Sequence, residues 1–165
     1  FLMTHDIVPL MPKGGTIINF VGGGEGAYSH FSSYVSAKGG VARFTETVAA
    51  ELKGKDIAVN AIAPGAVNTK FLDDLLAAGP EKAGKENYDR ALKQKAEGGT
   101  PPEKAAHLCV WLAADASKGL TGKTISAVWD KYEDFPKHMG EIIKSDVYNF
   151  RRVRPNDRGF KWGAD

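Results

Sequence analysis

Apolar positions along the chain fall into two short, nearly continuous runs and, elsewhere, stretches where they recur every three or four residues. Thr16-Ile-Ile-Asn-Phe-Val21, with glycines on both sides, and Ile57-Ala-Val-Asn-Ala-Ile62 read as buried parallel strands. Leu120-Thr-Gly-Lys-Thr-Ile-Ser-Ala-Val128 turns through Gly122 into a third. Between the first two runs the spacing predicts a helix from about Ser32 to Lys53, stopping at Gly54. Val41, Phe44, Val48 and Leu52 form its apolar stripe, and Ser32 or Ser33 is its expected N-cap. Residues 70–98 read as helical and polar-faced, with breaks at Gly79-Pro80 and Gly84. Thr100-Pro-Pro-Glu103 has the form of a helix start: a hydroxyl cap, proline in the first turn and glutamate at the third position. The helix it opens is expected to turn Ala106, Val110, Leu112 and Ala113 inward and to end near Gly119. Strands alternating with helices predict an α/β fold. Its three parallel strands, near 15–21, 56–62 and 124–128, lie side by side through right-handed crossovers, with helices on both faces.

Composition changes this picture little. With 42% apolar and 25% charged residues and a formal charge of +2, the chain is neither disordered nor built for strong polyanion binding. No run approaches the 18 or so apolar residues of a membrane span. Cys109 is the one cysteine and reads as a buried thiol, so the chain holds no internal disulfide or cysteine-based metal site. His5, His30, His107 and His138 lack ligand spacing, so no metal is expected; His30 is close enough to Tyr34 to be a candidate substrate contact. A targeting signal would precede residue 1, which makes cytoplasmic placement a default.

Chemistry enters with Tyr34-Val-Ser-Ala-Lys38. Residues four apart share a helix face, so the phenol and the ammonium project into one small volume. A free tyrosine holds its proton to about pH 10, and a cation nearby favours the phenolate, each tenfold gain in ionisation corresponding to about 1.4 kcal/mol. The pair is a candidate proton-transfer device. The second strand runs directly into Ala63-Pro64-Gly65-Ala66-Val67-Asn68-Thr69. Strand, loop, Tyr-x-x-x-Lys helix, strand and Pro-Gly-x-Val-x-Thr, in this order and spacing, resemble the short-chain dehydrogenase/reductase family over about residues 1–129.

The resemblance implies a Rossmann-like sheet, of which this would be the C-terminal half of a doubly wound member, with residues 130–165 as an extension. It implies an NAD- or NADP-dependent oxidoreductase of an alcohol/carbonyl pair, the two cofactors not being distinguishable here. Tyr34 would be the catalytic acid/base, and Lys38 would lower its pKa and hold the nicotinamide ribose. Pro64 and Gly65 would let the backbone approach the nicotinamide, and Val67 and Thr69 would hold its carboxamide. Ligands of open α/β sheets bind outside the carboxyl ends of the strands, where both loops emerge.

Two departures stand against the pattern. The family's serine thirteen residues before the tyrosine falls on Val21, which donates no hydrogen bond. Losing one such donor typically costs on the order of a hundredfold in rate. Ser29, Ser32, Ser33 and the N–H groups of Gly22 to Gly24 are the possible substitutes. The alternative function is therefore a non-catalytic nucleotide- or partner-binding protein on the same fold. The family's phosphate turn would lie ahead of Phe1, and residues 1–12 read as a helix entered midway, so a fragment or truncated form is expected. Gly22-Gly-Gly-Glu-Gly-Ala27 imitates a phosphate turn, but no helix opens immediately and the next strand does not end in Asp or Glu; a substrate-side loop is the preferred reading.

Within the family, residues 70–98 close over substrate, so Phe71, Leu72, Leu75 and Leu76 either line a pocket or only pack on the body. The tail carries Arg151, Arg152, Arg154, Arg158 and Lys161, offset by Asp157, Asp165 and Pro155. It lies across its own body or a neighbouring subunit, grips an anionic substrate, or, least favoured, binds nucleic acid. The expected partners are a small-molecule substrate and either a second copy of the chain or a polypeptide carrying the missing N-terminal half, because an uncovered first strand pairs or aggregates. No membrane partner is expected.

Overall fold

The computed structural model describes residues 1–22 and 26–162. Its sheet has three parallel strands, β1 (Thr16–Phe20), β2 (Ala58–Ala63) and β3 (Thr124–Ser126), in the order β1-β2-β3. Thr16 stands opposite Ala58, and Ala61 opposite Thr124. Among the described residues β1 forms one edge. Helix α1 (Leu2–Ile7) precedes the sheet with no buried residue. Helices α2 (Ser32–Leu52) and α5 (Pro102–Leu112) make the two crossovers.

Alternation along β2 divides its side chains between two apolar layers. Val59 joins Val48, Ala49, Leu52 and Ile57 beneath α2. Ile62 joins Leu108, Leu112, Leu120 and Ile125 beneath α5. Asn60, buried within the strand, donates to the Leu120 carbonyl at 2.8 Å and accepts from the Lys123 N–H at 3.0 Å. Both of its polar functions thus hold the turn that starts β3, so burying it leaves no orphaned group.

Packing overrode capping at both predicted helix starts. Phe31 is the N-cap of α2 and no side-chain cap bond forms; Ser32 and Ser33 are already helical. The chain turns at His30, with φ 67°, and Phe31 packs its ring against Leu72 and its neighbours. At α5 the cap is Pro101; the Thr100 N–H is bonded to the Ala66 carbonyl at 2.8 Å. The buried stripe of α5 is Ala105, Leu108 and Leu112, whereas Ala106 is exposed and Val110 is 70% exposed. This helix carries apolar residues nearly all round, so periodicity left its phase ambiguous. On α2, Val48 and Leu52 are buried as expected, with Ala42, Thr45 and Ala49, while Val41 and Phe44 flank them half-buried.

The core continues past Trp129. Tyr132, Phe135 and Ile142, the last two on α6 (Phe135–Lys144), belong to the same cluster as Leu108 and Ile125. The Lys123 ammonium is buried and donates to the Ser145 carbonyl (2.8 Å), the Val147 carbonyl (2.9 Å) and Asn149 Oδ1 (2.7 Å). Desolvation pushes its pKa down, although Asp146 and Glu46 oppose the shift. The Thr124 N–H donates to the Tyr148 carbonyl at 2.9 Å, and Glu46 on α2 accepts from the Phe150 N–H at 2.5 Å. Residues 145–150 therefore lie across the chain's own body, along the outer side of β3.

Candidate active site

The carboxyl end of β1 is where the predicted pair meets. Lys38 Nζ donates to the Phe20 carbonyl oxygen at 2.9 Å. One helical turn earlier, the Tyr34 hydroxyl lies against Gly22: a β-carbon there would overlap the hydroxyl oxygen and come within 3.3 Å of Cζ. Phenol and ammonium thus reach the same three residues, 20 to 22. Tyr34 is half-buried, its ring stacked on Phe71 at 4.8 Å and 27° and met edge-on by Phe31 at 6.4 Å. Burial, and secondarily Tyr28, push the Tyr34 pKa up from 10. The lowering expected from Lys38 does not offset this rise.

The position facing the Tyr34 hydroxyl is Gly22, not Val21. Val21 is 8% exposed and packs with Ala42 and Ala61 beneath α2. Counting thirteen residues back selects Val21, but strand alternation turns that side chain inward and presents its successor to the cleft. Of the proposed substitutes, Ser32 and Ser33 are exposed in the first turn of α2, and the exposed Ser29 gives its carbonyl to Asn87 at 2.9 Å. Gly23 and Gly24, with Glu25 of the 22–27 phosphate-turn imitation, lie outside the described residues.

Beyond β2, Pro64 and Val67 are half-buried, and Gly65 and Thr69 are exposed. Gly65 takes φ 86°, and a β-carbon on it would stand 2.6 Å from Val128 Cγ2 and 2.8 Å from Thr100 Oγ1. Only glycine allows the loop to pass this close to Val128 and Thr100. The loop is pinned further by Gln94 Nε2, which donates to the Ala66 carbonyl (2.9 Å) and to Asn68 Oδ1 (3.0 Å). Thr69 ends the loop as the N-cap residue of α3 (Lys70–Ala83).

Helix α3, which kinks at Gly79, and α4 (Lys85–Glu97) fold over this end of the sheet. Leu72, Leu75, Ala83 and Ala91 form their own small core. Phe71 and Leu75, with Phe31 and Ala78, line a groove of about 240 Å³ whose polar margin is His30, Asp74 and Lys82. His30 also borders a second, polar recess of about 230 Å³ against Asn87 and Arg90. At the end of β3, Ser126 Oγ accepts from the N–H groups of Val128 (3.2 Å) and Trp129 (3.1 Å), and the Ser126 N–H donates to Asp130 Oδ2 at 2.7 Å. This turn holds out Trp129, 83% exposed. Phe31, Asn87 and Gln94 stand in no motif, so no signal in the sequence points to them; folding alone brings them to this end of the sheet. Among the described residues no three His, Cys, Asp or Glu side chains gather as a metal site, and no helix is long and apolar enough to cross a membrane.

Three parallel strands joined through helices, with loops leaving their carboxyl ends, make a Rossmann-like sheet. A family model described as enoyl-(acyl carrier protein) reductase matches residues 1–127. The chain belongs to the short-chain dehydrogenase/reductase family. It is 40% identical over 116 residues to the short-chain reductase protein NovJ of Streptomyces niveus, covering 67% of this chain and 42% of that one. With the 3-oxoacyl-(acyl-carrier-protein) reductase FabG of Thermotoga maritima it shares 37% over 130 residues, covering 76% and 49%. A solved structure of the landomycin C-6 ketoreductase LanV with bound NADP and rabelomycin superposes with a TM-score of 0.57 at 25% identity, over 77% of this chain and 45% of that one. The chain spans about half the length of the curated relatives it matches.

Proposed function

We propose that this chain supplies the acid/base and the nicotinamide side of an NAD- or NADP-dependent oxidoreductase acting on an alcohol/carbonyl pair. The observation that carries the reading is the convergence of the Tyr34 hydroxyl and the Lys38 ammonium on residues 20–22. The local chemistry fits a nicotinamide riboside. The Lys38 ammonium has three donors and gives one to Phe20, leaving two for a ribose diol. Gly65 opens the backbone of the Pro64–Thr69 loop, where Val67 and Thr69 would hold the carboxamide. When bound, the nicotinamide supplies or accepts the hydride. Tyr34 then donates its phenolic proton to the carbonyl oxygen in reduction, or takes the hydroxyl proton in oxidation, and Lys38 holds the ribose. A phenol with a raised pKa keeps its proton at neutral pH, which suits reduction. The FabG and LanV relatives are named as reductases, in line with that direction.

Gly22 favours a second reading. No side chain there holds the carbonyl oxygen beside Tyr34, as a fold that binds nucleotide or a partner without catalysing would tolerate. One experiment separates the two, using the longest polypeptide that carries this chain. Tyr34→Phe is expected to lower kcat by about 10²–10⁴-fold and to leave NADH or NADPH affinity nearly intact. Turnover that survives the substitution removes the acid/base role. A wild type that binds cofactor and turns over no carbonyl compound establishes the binding protein instead. The free edge of β1 fits completion by a strand from a preceding segment or a second copy, which the particle mass from solution scattering distinguishes.

A further inference from the structure

We infer that the substrate carries a flat aromatic ring system beside its reacting oxygen, as an aryl ketone or the matching alcohol, and that Phe71 and Trp129 recognise it. The reacting oxygen rests on the oxidoreductase reading above; the ring rests on geometry. Four rings, Tyr34 included, form one connected cluster on that side of the cleft. Tyr28 and Phe31 have centroids 4.8 Å apart, Phe31 and Phe71 6.0 Å, and Phe71 and Tyr34 4.8 Å. Phe71 is still 45% exposed after making those contacts. Its open surface, with Phe31, Leu75 and Ala78, forms the apolar wall of the groove, while His30, Asp74 and Lys82 stay at the margin. At about 240 Å³ the groove is smaller than the roughly 300–1,000 Å³ of drug-sized pockets. It takes a compact body rather than a long acyl chain.

Trp129 is an independent observation, from the turn that follows β3. An exposed tryptophan on a hydrogen-bonded turn offers a large rigid surface at little entropic cost, which is what ring stacking uses. Its neighbour Val128 packs on Gly65, so the indole stands beside the Pro64–Thr69 loop. Adjacent strands lie about 4.8 Å apart, which puts the ends of β1 and β3 about 10 Å from each other. A fused-ring ligand is of that order. Saturated groups would gain area burial from these rings, but only a flat π system adds stacking.

That difference is the test. 1-Tetralone and 1-decalone share a bicyclic ketone skeleton and differ in one aromatic ring. Equilibrium binding of each to the longest polypeptide that carries this chain is read by saturation-transfer NMR, without turnover. Tetralone is expected to bind roughly three- to tenfold tighter, the range of one aromatic contact. Phe71→Leu and Trp129→Leu should each erase most of the preference, and Phe71→Tyr should keep it. Trp129→Leu alters an exposed side chain, so its effect does not depend on refolding the lid. Equal affinities, binding of neither ketone, or a preference that survives both leucine variants overturns the inference. Because no reaction is measured, a ring preference stands even where Tyr34→Phe retains turnover. Equal binding in an enzyme that Tyr34→Phe silences removes the ring inference alone.

Discussion

The sheet body and the α3–α4 lid are held by different means. The largest fully buried side chains, among them Ile62, Leu108, Leu112, Leu120 and Ile125, all lie in the body. The lid has four small contributors of its own, Leu72, Leu75, Ala83 and Ala91, 3–9% exposed. It meets the body through the rings of Phe31 and Tyr34 and through the amides of Asn87 and Gln94. Its surface ion pairs, such as Lys70–Asp74 and Lys85–Asp89, are solvent-exposed and screened by water, so they add little to its hold. Tyr34 and Lys38 stand on a body helix, and Phe71 on the lid. A body of this kind keeps the geometry of the Tyr34–Lys38 pair constant, and a segment held as α3–α4 is opens locally without unfolding the rest.

The contrast is most exposed to a core truncation. Leu108→Ala in the body should cost about 2–5 kcal/mol of global stability, read as a fall in the denaturation midpoint with every amide affected together. A loss confined to α5 would mean that the body is not one cooperative unit. Next comes Asn87→Ala, which removes the donor to both the Ser29 and Ala83 carbonyls. Acceptors left unpaired at this partly buried position cost about 1–3 kcal/mol, and hydrogen exchange should accelerate most across residues 85–97, with a smaller fall in the midpoint than Leu108→Ala gives. An equal global loss would erase the distinction between lid and body.

The smallest expected effect joins the two regions. Burial raises the Tyr34 pKa, and Phe71 from the lid covers part of that ring. Phe71→Ala should therefore bring the phenol back toward its ordinary value of about 10, seen as an ultraviolet titration moved to lower pH. Oxidation, which needs the phenolate, should then begin to rise at lower pH, while reduction keeps its proton donor through neutrality. A titration that does not move assigns the raised pKa to the body alone.

Much of the arrangement was legible beforehand because it follows from short-range rules. The Ile-rich runs marked the strands, Gly79-Pro80 and Gly84 marked the breaks of the lid, and the four-residue spacing put Tyr34 and Lys38 on one face. Errors came where two local rules competed. Ser32 was a good cap by its hydroxyl, but burying the Phe31 ring decided where α2 begins. Counting along the loop pointed to Val21, and the pleat of the strand decided for Gly22.

By itself the sequence determined the element order, the parallel sheet and the tyrosine–lysine pair, since each depends on residues a few positions apart. Only the tertiary structure decided what surrounds that pair. Phe71 reaches Tyr34 from 37 positions away, and Val128, next to Trp129, reaches Gly65 from the turn after β3. The engagement of Lys38 by Phe20 and the rise of the Tyr34 pKa are likewise outcomes of packing. A side chain's charge state depends on its neighbours in space, and those neighbours come from segments that are distant along the chain.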